Sequence, residues 1–144
     1  MDNKKKFDKS LFFGLSSSIG LCFAKLYPKK NFIFYSRKKI NIKKNINIEY
    51  LDLNKNLSRL PKKADKIFFL ASPRYLKKNF SKKKYLIEKK WLKKICKKTK
   101  SNTFIYISSG SVYQKKHPIG FAKLQCEKFL QENSNSNYLQ IWRP

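Results

Sequence analysis

This sequence has little of what most metal, disulfide or repeat proteins need: one histidine, three cysteines, four glycines and five prolines in 144 residues. A single imidazole, His117, excludes a metal site built from several histidines. The cysteines lie far apart and form no CxxC pair, so neither a zinc site nor a disulfide framework is indicated, and we expect reduced, mostly buried thiols in the cytoplasm. No apolar run reaches the length of a membrane span, so no membrane partner is expected.

Acidic residues are also scarce, because eight of them face 35 basic residues and the formal net charge is +27. Nucleic-acid binding is therefore one hypothesis. However, the basic residues are 31 Lys and 4 Arg spread along the chain, accompanied by 13 Ile and 12 Asn but only 4 Ala. This bias is typical of AT-rich codons, whereas dedicated readers of phosphates and bases favour arginine. A basic polyanion-binding domain remains an alternative, with nonspecific attraction to polyanions at low salt.

The N-terminal segment has two interpretations. Lysines at 4–6 followed by apolar residues at 11–24 imitate a secretory signal peptide. Asp2 and Asp8 dilute the charged part, and a glycine and three serines interrupt the apolar part, so we favour a basic tail over residues 1–9. Residues 10–144 are then a single domain, since 41% hydrophobic and 15% aromatic residues are too many for a disordered chain.

Five windows without lysine or arginine mark the segments that cannot face water: 10–24, 45–54, 67–73, 101–114 and 129–142. Short runs rich in β-branched and aromatic residues predict strands at 11–13, 32–35, 46–51, 67–70, 104–107 and 138–142. Their near-continuous apolar character is typical of a parallel sheet covered on both faces.

Helical spacing of apolar residues predicts helices over 18–27, 80–98 and 120–131, with a short turn at 54–60. The first helix should bury one face, made of Ile19, Cys22, Phe23 and Leu26. Strands that alternate with helices indicate a doubly wound, parallel α/β sheet of the Rossmann type with about six strands.

The turn after the first strand carries a small residue at every third position: Gly14, Ser17 and Gly20. This spacing suits a backbone that turns sharply and meets a pyrophosphate at a helix N-terminus, where Ser18 and Ile19 would present their amides. The Ser17 hydroxyl can cap the helix or bond a phosphate. A plain strand–turn–helix with a serine cap explains the pattern nearly as well.

The residues that follow the second and third strands would contact the adenosine part of a dinucleotide whose pyrophosphate binds at this turn. Ser36 and Arg37 stand where an acidic residue would hold the ribose hydroxyls of NAD, so a 2′-phosphate, and hence NADP, is favoured. The alternative is a solvated basic loop. Asp52-Leu53 would meet an adenine amino group, or Asp52 caps the turn at 54–60.

Two later strand ends complete the pattern. Leu70-Ala71-Ser72 is small enough for a cofactor to lie across the end of the fourth strand, and Ser108-Ser109-Gly-Ser-Val-Tyr113 follows the fifth. In this order the motifs resemble the extended short-chain dehydrogenase/reductase superfamily, specifically the NAD-dependent epimerase/dehydratase group that acts on nucleotide sugars. Further matching residues are Glu127, one turn after Lys123, and Arg143-Pro144.

The resemblance implies an NADP or NAD cofactor and hydride exchange between a sugar carbon and the nicotinamide. It assigns Ser109 to the substrate oxygen and Lys123 to the nicotinamide ribose and to a catalytic tyrosine four residues earlier. Here that position is Ile119, which cannot transfer a proton. Tyr113 and His117 are possible substitutes, and the Tyr85–Lys89 spacing is interpreted as chance.

Two more departures from the family concern length. The loop from 113 to 119 is short, and the sequence stops at residue 144, where the family continues into a substrate domain. The resemblance therefore implies a cofactor half without its C-terminal substrate domain, with impaired or lost activity. A non-catalytic dinucleotide-binding or scaffold protein is the alternative, and a homo-oligomer or a pair with a full-length homologue stays open.

Overall fold

The computed structural model describes residues 9–26, 31–42, 45–73, 82–114 and 117–144, so most of the expected N-terminal tail lies outside the described residues. The strands are β1 (Ser10–Phe13), β2 (Phe32–Ser36), β3 (Ile48–Tyr50), β4 (Lys63–Phe69), β5 (Lys100–Ile107) and β6 (Ser136–Trp142). The helices are α1 (Ser18–Leu26), α2 (Lys82–Tyr85), α3 (Ile87–Lys98) and α4 (Pro118–Asn133), with a short 3-10 helix at Gly110–Tyr113. None of these helices is long and apolar enough to cross a membrane.

The six strands form one sheet in the order β3-β2-β1-β4-β5-β6, and every neighbouring pair is parallel. The chain moves outward from β1 to β3, then returns to the other side of β1 and continues to β6. The order therefore reverses between β1 and β4, which is where open α/β sheets bind their ligands. This topology confirms the predicted doubly wound Rossmann-type sheet.

The sheet has a buried hydrophobic cluster on each face, and successive side chains along each strand point alternately to one cluster and the other. Within β1, Leu11 and Phe13 belong to the larger cluster, which α3 and α4 cover, whereas Phe12 belongs to the smaller cluster on the α1 side. Phe12 stacks on Phe23 of α1 with ring centroids 4.9 Å apart. The charge-free apolar runs of the sequence are thus the strands of the core.

The predicted buried face of α1 is wrong. Ile19 and Leu26 are 58% and 67% exposed and Cys22 is also exposed, whereas Gly20 and Ala24 are buried. A Cβ at position 20 would lie 2.9 Å from the Leu15 Cα, so α1 approaches the turn after β1 most closely at a residue without a side chain. The larger apolar side chains are left on the outer side, apart from the partly buried Phe23.

Some predicted boundaries also need correction. The helix expected over 80–98 is divided by Leu86, whose φ of −91° and ψ of 0° break the α-helix between α2 and α3. α4 begins at Pro118 rather than at 120, because His117 is its N-cap and accepts a hydrogen bond from the Gly120 amide at 3.4 Å. β3 spans only Ile48–Tyr50 of the expected 46–51.

The three cysteines are free thiols, and two of them lie in the core. Burial raises the pKa of Cys96 to about 11 and that of Cys126 to about 12. Cys22 is exposed on α1, so the expectation of mostly buried thiols holds for two of the three.

Candidate functional site

A cleft of about 340 Å³ opens at the carboxyl ends of β1 to β4, at the switch point of the sheet. It brings together the predicted binding residues of four separate strand ends. Those among its lining are Gly14, Ser17, Ser36, Arg37, Asp52, Leu53, Leu70, Ala71 and Ser72. Sequence reasoning did not predict the other lining residues as site residues: Phe13, Ser16, Tyr35, Leu51, Asn54 and Trp91.

The wall formed by β1 and α1 depends on Gly14. Its φ of +103° is a conformation that side chains with a Cβ rarely adopt. A Cβ there would also lie 2.7 Å from the Ala71 nitrogen and 2.8 Å from the Leu70 carbonyl carbon, so the turn approaches β4 at backbone contact. Both constraints select glycine at this point of the cleft.

Ser17 is the N-cap of α1. Its hydroxyl donates to the Gly14 carbonyl at 2.8 Å and accepts from the Gly20 amide at 3.0 Å. The hydroxyl is thus used for capping, one of its two predicted roles. Ser18 and Ile19 occupy the first two helical positions, whose amides have no acceptor within a helix and are suited to bind an anion.

Ser36 and Arg37 stand at the end of β2. The buried Ser36 hydroxyl donates to the Lys38 carbonyl at 2.8 Å and accepts from the Lys38 amide at 3.1 Å. This tight turn places the exposed Arg37 on the rim of the cleft. The rim therefore carries a positive charge where an NAD-specific site would carry a carboxylate.

The loop after β3 forms the next side of the cleft. The Asp52 carboxylate accepts from the Asn54 amide at 2.9 Å, so Asp52 caps this turn as well as lining the cleft. The Lys94 ammonium donates to the carbonyls of Leu53, Asn54 and Lys55, each at 3.1 Å. Lys94 thus fixes the loop from α3, and no sequence pattern separated it from the many other lysines.

Two aromatic side chains line the bottom of the cleft. Trp91 donates from its indole nitrogen to the Asn54 side chain at 2.9 Å. Tyr35 stacks on Phe13 at 4.9 Å, and its buried hydroxyl has no hydrogen-bond partner among the described residues. Burial, with a smaller contribution from Glu49, raises the pKa of Tyr35, so the phenol stays protonated and can donate to a ligand or water.

Lys123 lies outside the lining of this cleft. It is buried and forms an ion pair with Glu88, with 2.7 Å between Nζ and Oε1. The fully buried Glu88 also accepts from the Tyr106 hydroxyl at 2.7 Å and from the Ser72 hydroxyl at 3.3 Å. These four residues are called the Glu88 cluster below, and sequence reasoning missed its central carboxylate.

Ser109 is also separate from the cleft lining. Its hydroxyl caps the 3-10 helix by accepting from the Ser111 amide at 3.2 Å and from the Ser111 hydroxyl at 2.9 Å. Ile119 is half-buried in the first turn of α4. The structure therefore does not bring the two predicted catalytic residues, Ser109 and Lys123, to the cleft that holds the predicted binding residues.

The two possible substitutes for the catalytic tyrosine are engaged elsewhere. The Tyr113 hydroxyl accepts from Arg143 at 2.8 Å, and the side chain is 72% exposed. His117 caps α4 through Nδ1. Tyr85 and Lys89 lie on different helices, α2 and α3, so their spacing is not the one-turn spacing of a catalytic pair.

Glu127 forms the centre of a second polar cluster. Its buried carboxylate accepts from Arg143 at 3.0 and 2.6 Å and from the Ser108 hydroxyl at 2.5 Å. Burial opposes ionisation of Glu127, but the hydrogen bonds from Arg143 and Ser108 outweigh it and leave its pKa below the usual value. This cluster joins α4 to the ends of β5 and β6. Among the described residues, no group of three or more His, Cys, Asp or Glu could hold a metal ion.

Comparison with known proteins shows which fold this chain shares with solved structures. The sequence matches no protein-family model and no curated protein. Similar solved structures include one complexed with UDP-glucuronic acid and NAD, a reductase complexed with NADP(H) and a UDP-sugar epimerase, and this chain resembles part of each of them in fold. The chain spans about half the length of these structures, and the likeness establishes the Rossmann-type fold.

Three of these structures illustrate the likeness. The first is MoeE5 in complex with UDP-glucuronic acid and NAD, with a TM-score of 0.68 and 16% identity over 94% of this chain and 54% of that one. Triphenylmethane reductase of Citrobacter sp., complexed with NADP(H), has a TM-score of 0.67 and 15% identity over 90% and 47%. UDP-N-acetylglucosamine 4-epimerase of Bacillus cereus has a TM-score of 0.65 and 16% identity over 94% and 52%.

Proposed function

We propose that this chain binds a nicotinamide dinucleotide in the cleft, with NADP preferred over NAD. The observation that carries the proposal is the Gly14 turn, which has a positive φ, approaches the Leu70–Ala71 backbone closely and lines the cleft together with Ser17, the residue before α1. A helix N-terminus at the switch point of a parallel sheet suits a pyrophosphate. The similar structures complexed with NAD and NADP(H) support the same ligand class.

The preference for NADP rests on Arg37. Its guanidinium, on the rim beside the end of β2, can form charge-assisted hydrogen bonds with a 2′-phosphate. No carboxylate follows β2 directly to bind free ribose hydroxyls, since residues 37–39 are Arg-Lys-Lys. A phosphate at this position therefore gains an interaction that a hydroxyl does not.

Titration calorimetry with NADPH and NADH at physiological salt tests this proposal. Arg37→Gln should weaken NADPH binding by about tenfold or more, because a hydrogen bond to a charged group contributes roughly 1.5–3 kcal/mol. NADH binding should change by less than about threefold. The matched control is Arg59→Gln, which removes the same charge from an exposed arginine that does not line the cleft.

The same titrations distinguish the polyanion-binding alternative. A general attraction to polyanions would make both arginine variants lose affinity alike and would fade as salt rises. Absence of saturable binding by either nucleotide at physiological salt would refute dinucleotide binding.

We further propose that catalysis of hydride exchange with a nucleotide sugar is impaired in this chain alone. Ile119 offers no transferable proton, and Lys123 and Ser109 are engaged in the contacts described above. Mixing the protein with NADP and candidate UDP-sugars should give no sustained change in nicotinamide absorbance. We also propose that the chain is located in the cytoplasm. We propose further that it forms an oligomer, which native mass spectrometry of the full chain tests.

A further inference from the structure

The described residues that line the cleft come from the half of the sheet that would receive the adenosine end of a dinucleotide. They follow β1, β2, β3 and β4, and Trp91 joins them from α3. We propose that this cleft recognises the 2′-phospho-ADP-ribose half of NADP and leaves the nicotinamide half unbound. The inference rests on the proposed function, because it names the part of the dinucleotide that the same site holds.

Lys123 is the residue that would have to hold the nicotinamide ribose. Its ammonium is 2.7 Å from Glu88, 3.4 Å from the Ile107 carbonyl and 5.2 Å from the centre of the Tyr106 ring. Its side chain is 7% exposed and that of Glu88 is 0% exposed. Both charges are therefore compensated inside the protein and not at the cleft.

The energetic balance favours this ion pair over a ribose contact. Removing one partner of a buried pair leaves a charge without compensation, at a cost of roughly 10²–10³-fold in an equilibrium constant. One hydrogen bond to a ribose hydroxyl contributes roughly tenfold. Lys123 would thus lose more by leaving Glu88 than it would gain from the ligand.

Among the described residues, which leave out 74–81 and 115–116, the groups near Lys123 give the nicotinamide half no replacement. The Ser109 hydroxyl caps the 3-10 helix, and Ile119 has no polar side-chain atom. Ser72 lines the cleft and belongs to the Glu88 cluster, and its hydroxyl donates to the Glu88 carboxylate at 3.3 Å. The Ser72 hydroxyl and the Lys123 ammonium are therefore both directed to Glu88 and not to the cleft.

The adenosine side, in contrast, is equipped for the negatively charged part of the ligand. Ser17, the N-cap of α1, lines the cleft where the diphosphate would lie, and Arg37 on the rim would meet the 2′-phosphate. Lys94 and Trp91 hold the loop that carries Asp52 and Leu53. Most of the binding free energy should therefore come from this half of the molecule.

Calorimetry on the full chain with three separate ligands tests the inference: NADP, 2′-phospho-ADP-ribose and nicotinamide mononucleotide. We expect NADP and 2′-phospho-ADP-ribose to bind within about threefold of each other and the mononucleotide not to bind detectably. NADP binding more than about thirtyfold tighter than 2′-phospho-ADP-ribose would overturn the inference and leave the proposed function intact. No binding of NADP or 2′-phospho-ADP-ribose would overturn the proposed function itself, and the inference with it.

The emission of bound NADPH gives an independent measurement. A dihydronicotinamide that stays in water keeps the emission maximum of the free nucleotide, whereas an enclosed ring shifts it to shorter wavelength. We expect no shift when NADPH is saturated with protein, with saturation established by calorimetry. A clear blue shift would show that the nicotinamide is held and would contradict the inference.

Discussion

Replacing Lys123 by methionine should destabilise the fold strongly, although a lysine is usually a surface residue. The substitution keeps most of the apolar length of the side chain and removes its ammonium. Glu88, which is 0% exposed, would then lose the ammonium that lies 2.7 Å from its carboxylate. Breaking a buried ion pair on one side costs about 3–5 kcal/mol, a large part of the stability of an ordinary domain.

The size of the effect can be assigned to the pair by a double-mutant cycle. Glu88→Gln alone should cost about as much as Lys123→Met, because it leaves the ammonium buried beside a neutral amide. The double variant should be less destabilised than the sum of the two single variants by about 2 kcal/mol or more, since no uncompensated charge remains. Lys128→Met, at an exposed position on the same helix α4, is the matched control and should change stability by less than about 0.5 kcal/mol.

Urea unfolding followed by circular dichroism provides the free energies of the four proteins. If Lys123→Met lies within about 0.5 kcal/mol of the unmodified chain, or if the single effects simply add, the ion pair is not a structural element. That outcome would also remove the basis for placing the lysine outside ligand binding.

Three further predictions follow from the same structure. Gly14→Ala should destabilise by about 1–3 kcal/mol because of its positive φ and the contact with β4, whereas Gly110→Ala, where a Cβ would meet only the Pro144 oxygen at 3.5 Å, should be near neutral in urea unfolding. Cys22 should react quickly with a thiol reagent and the two buried cysteines only on unfolding; three equally fast thiols in the folded chain would contradict the packing of the core. Because the pKa of Glu127 is lowered in the folded state, its contribution is present above the unfolded pKa and is lost as pH falls through the folded one. Glu127→Gln should therefore flatten the loss of stability between about pH 5 and about pH 3, and an unchanged slope would refute this assignment.

The sheet could be predicted from the sequence because lysine is so abundant that its absence is informative. In a chain with 31 lysines, the windows without basic residues contain the glycine turn after β1 and the ends of β3 and β4, whereas β2 is followed directly by Arg37. The order of strands and helices then leaves few possible topologies. For this reason the doubly wound parallel sheet was accessible without coordinates, whereas the binding roles of the residues at the strand ends stay predictions.

The outer face of α1 shows where the same reasoning fails. Helical periodicity of apolar residues predicted burial of Ile19, Cys22 and Leu26, yet these are exposed. The close approach of Gly20 to the Gly14–Leu15 turn determines which side of the helix faces the sheet. A hydrophobic pattern does not contain that information, because it records which residues are apolar and not how closely two backbone segments approach.

The sequence did not predict the buried ion pair of Glu88, for a different reason. A glutamate surrounded by lysines on a helix has the pattern of a surface residue, and its partner is 35 positions away in the sequence. Only the packing of α3 against α4 brings the two charges together. Long-range charge pairs of this kind cannot be inferred from one sequence without their tertiary contacts.

In this very basic chain, the two buried carboxylates stabilise the β5–β6 half of the sheet by compensating nearby positive charges. Glu88 compensates Lys123 inside the core, and Glu127 compensates Arg143 where β6 ends. A lysine at either acidic position would place two cations within a few ångströms in a region of low dielectric, so these positions do not tolerate the basic residues that fill the surface. The polar groups that the resemblance assigns to chemistry are thereby used to stabilise this half of the sheet, while the β1–β4 half keeps an open cleft. The ion pairs of the two buried carboxylates and the proposed ligand site in the cleft thus lie in different halves of the same sheet.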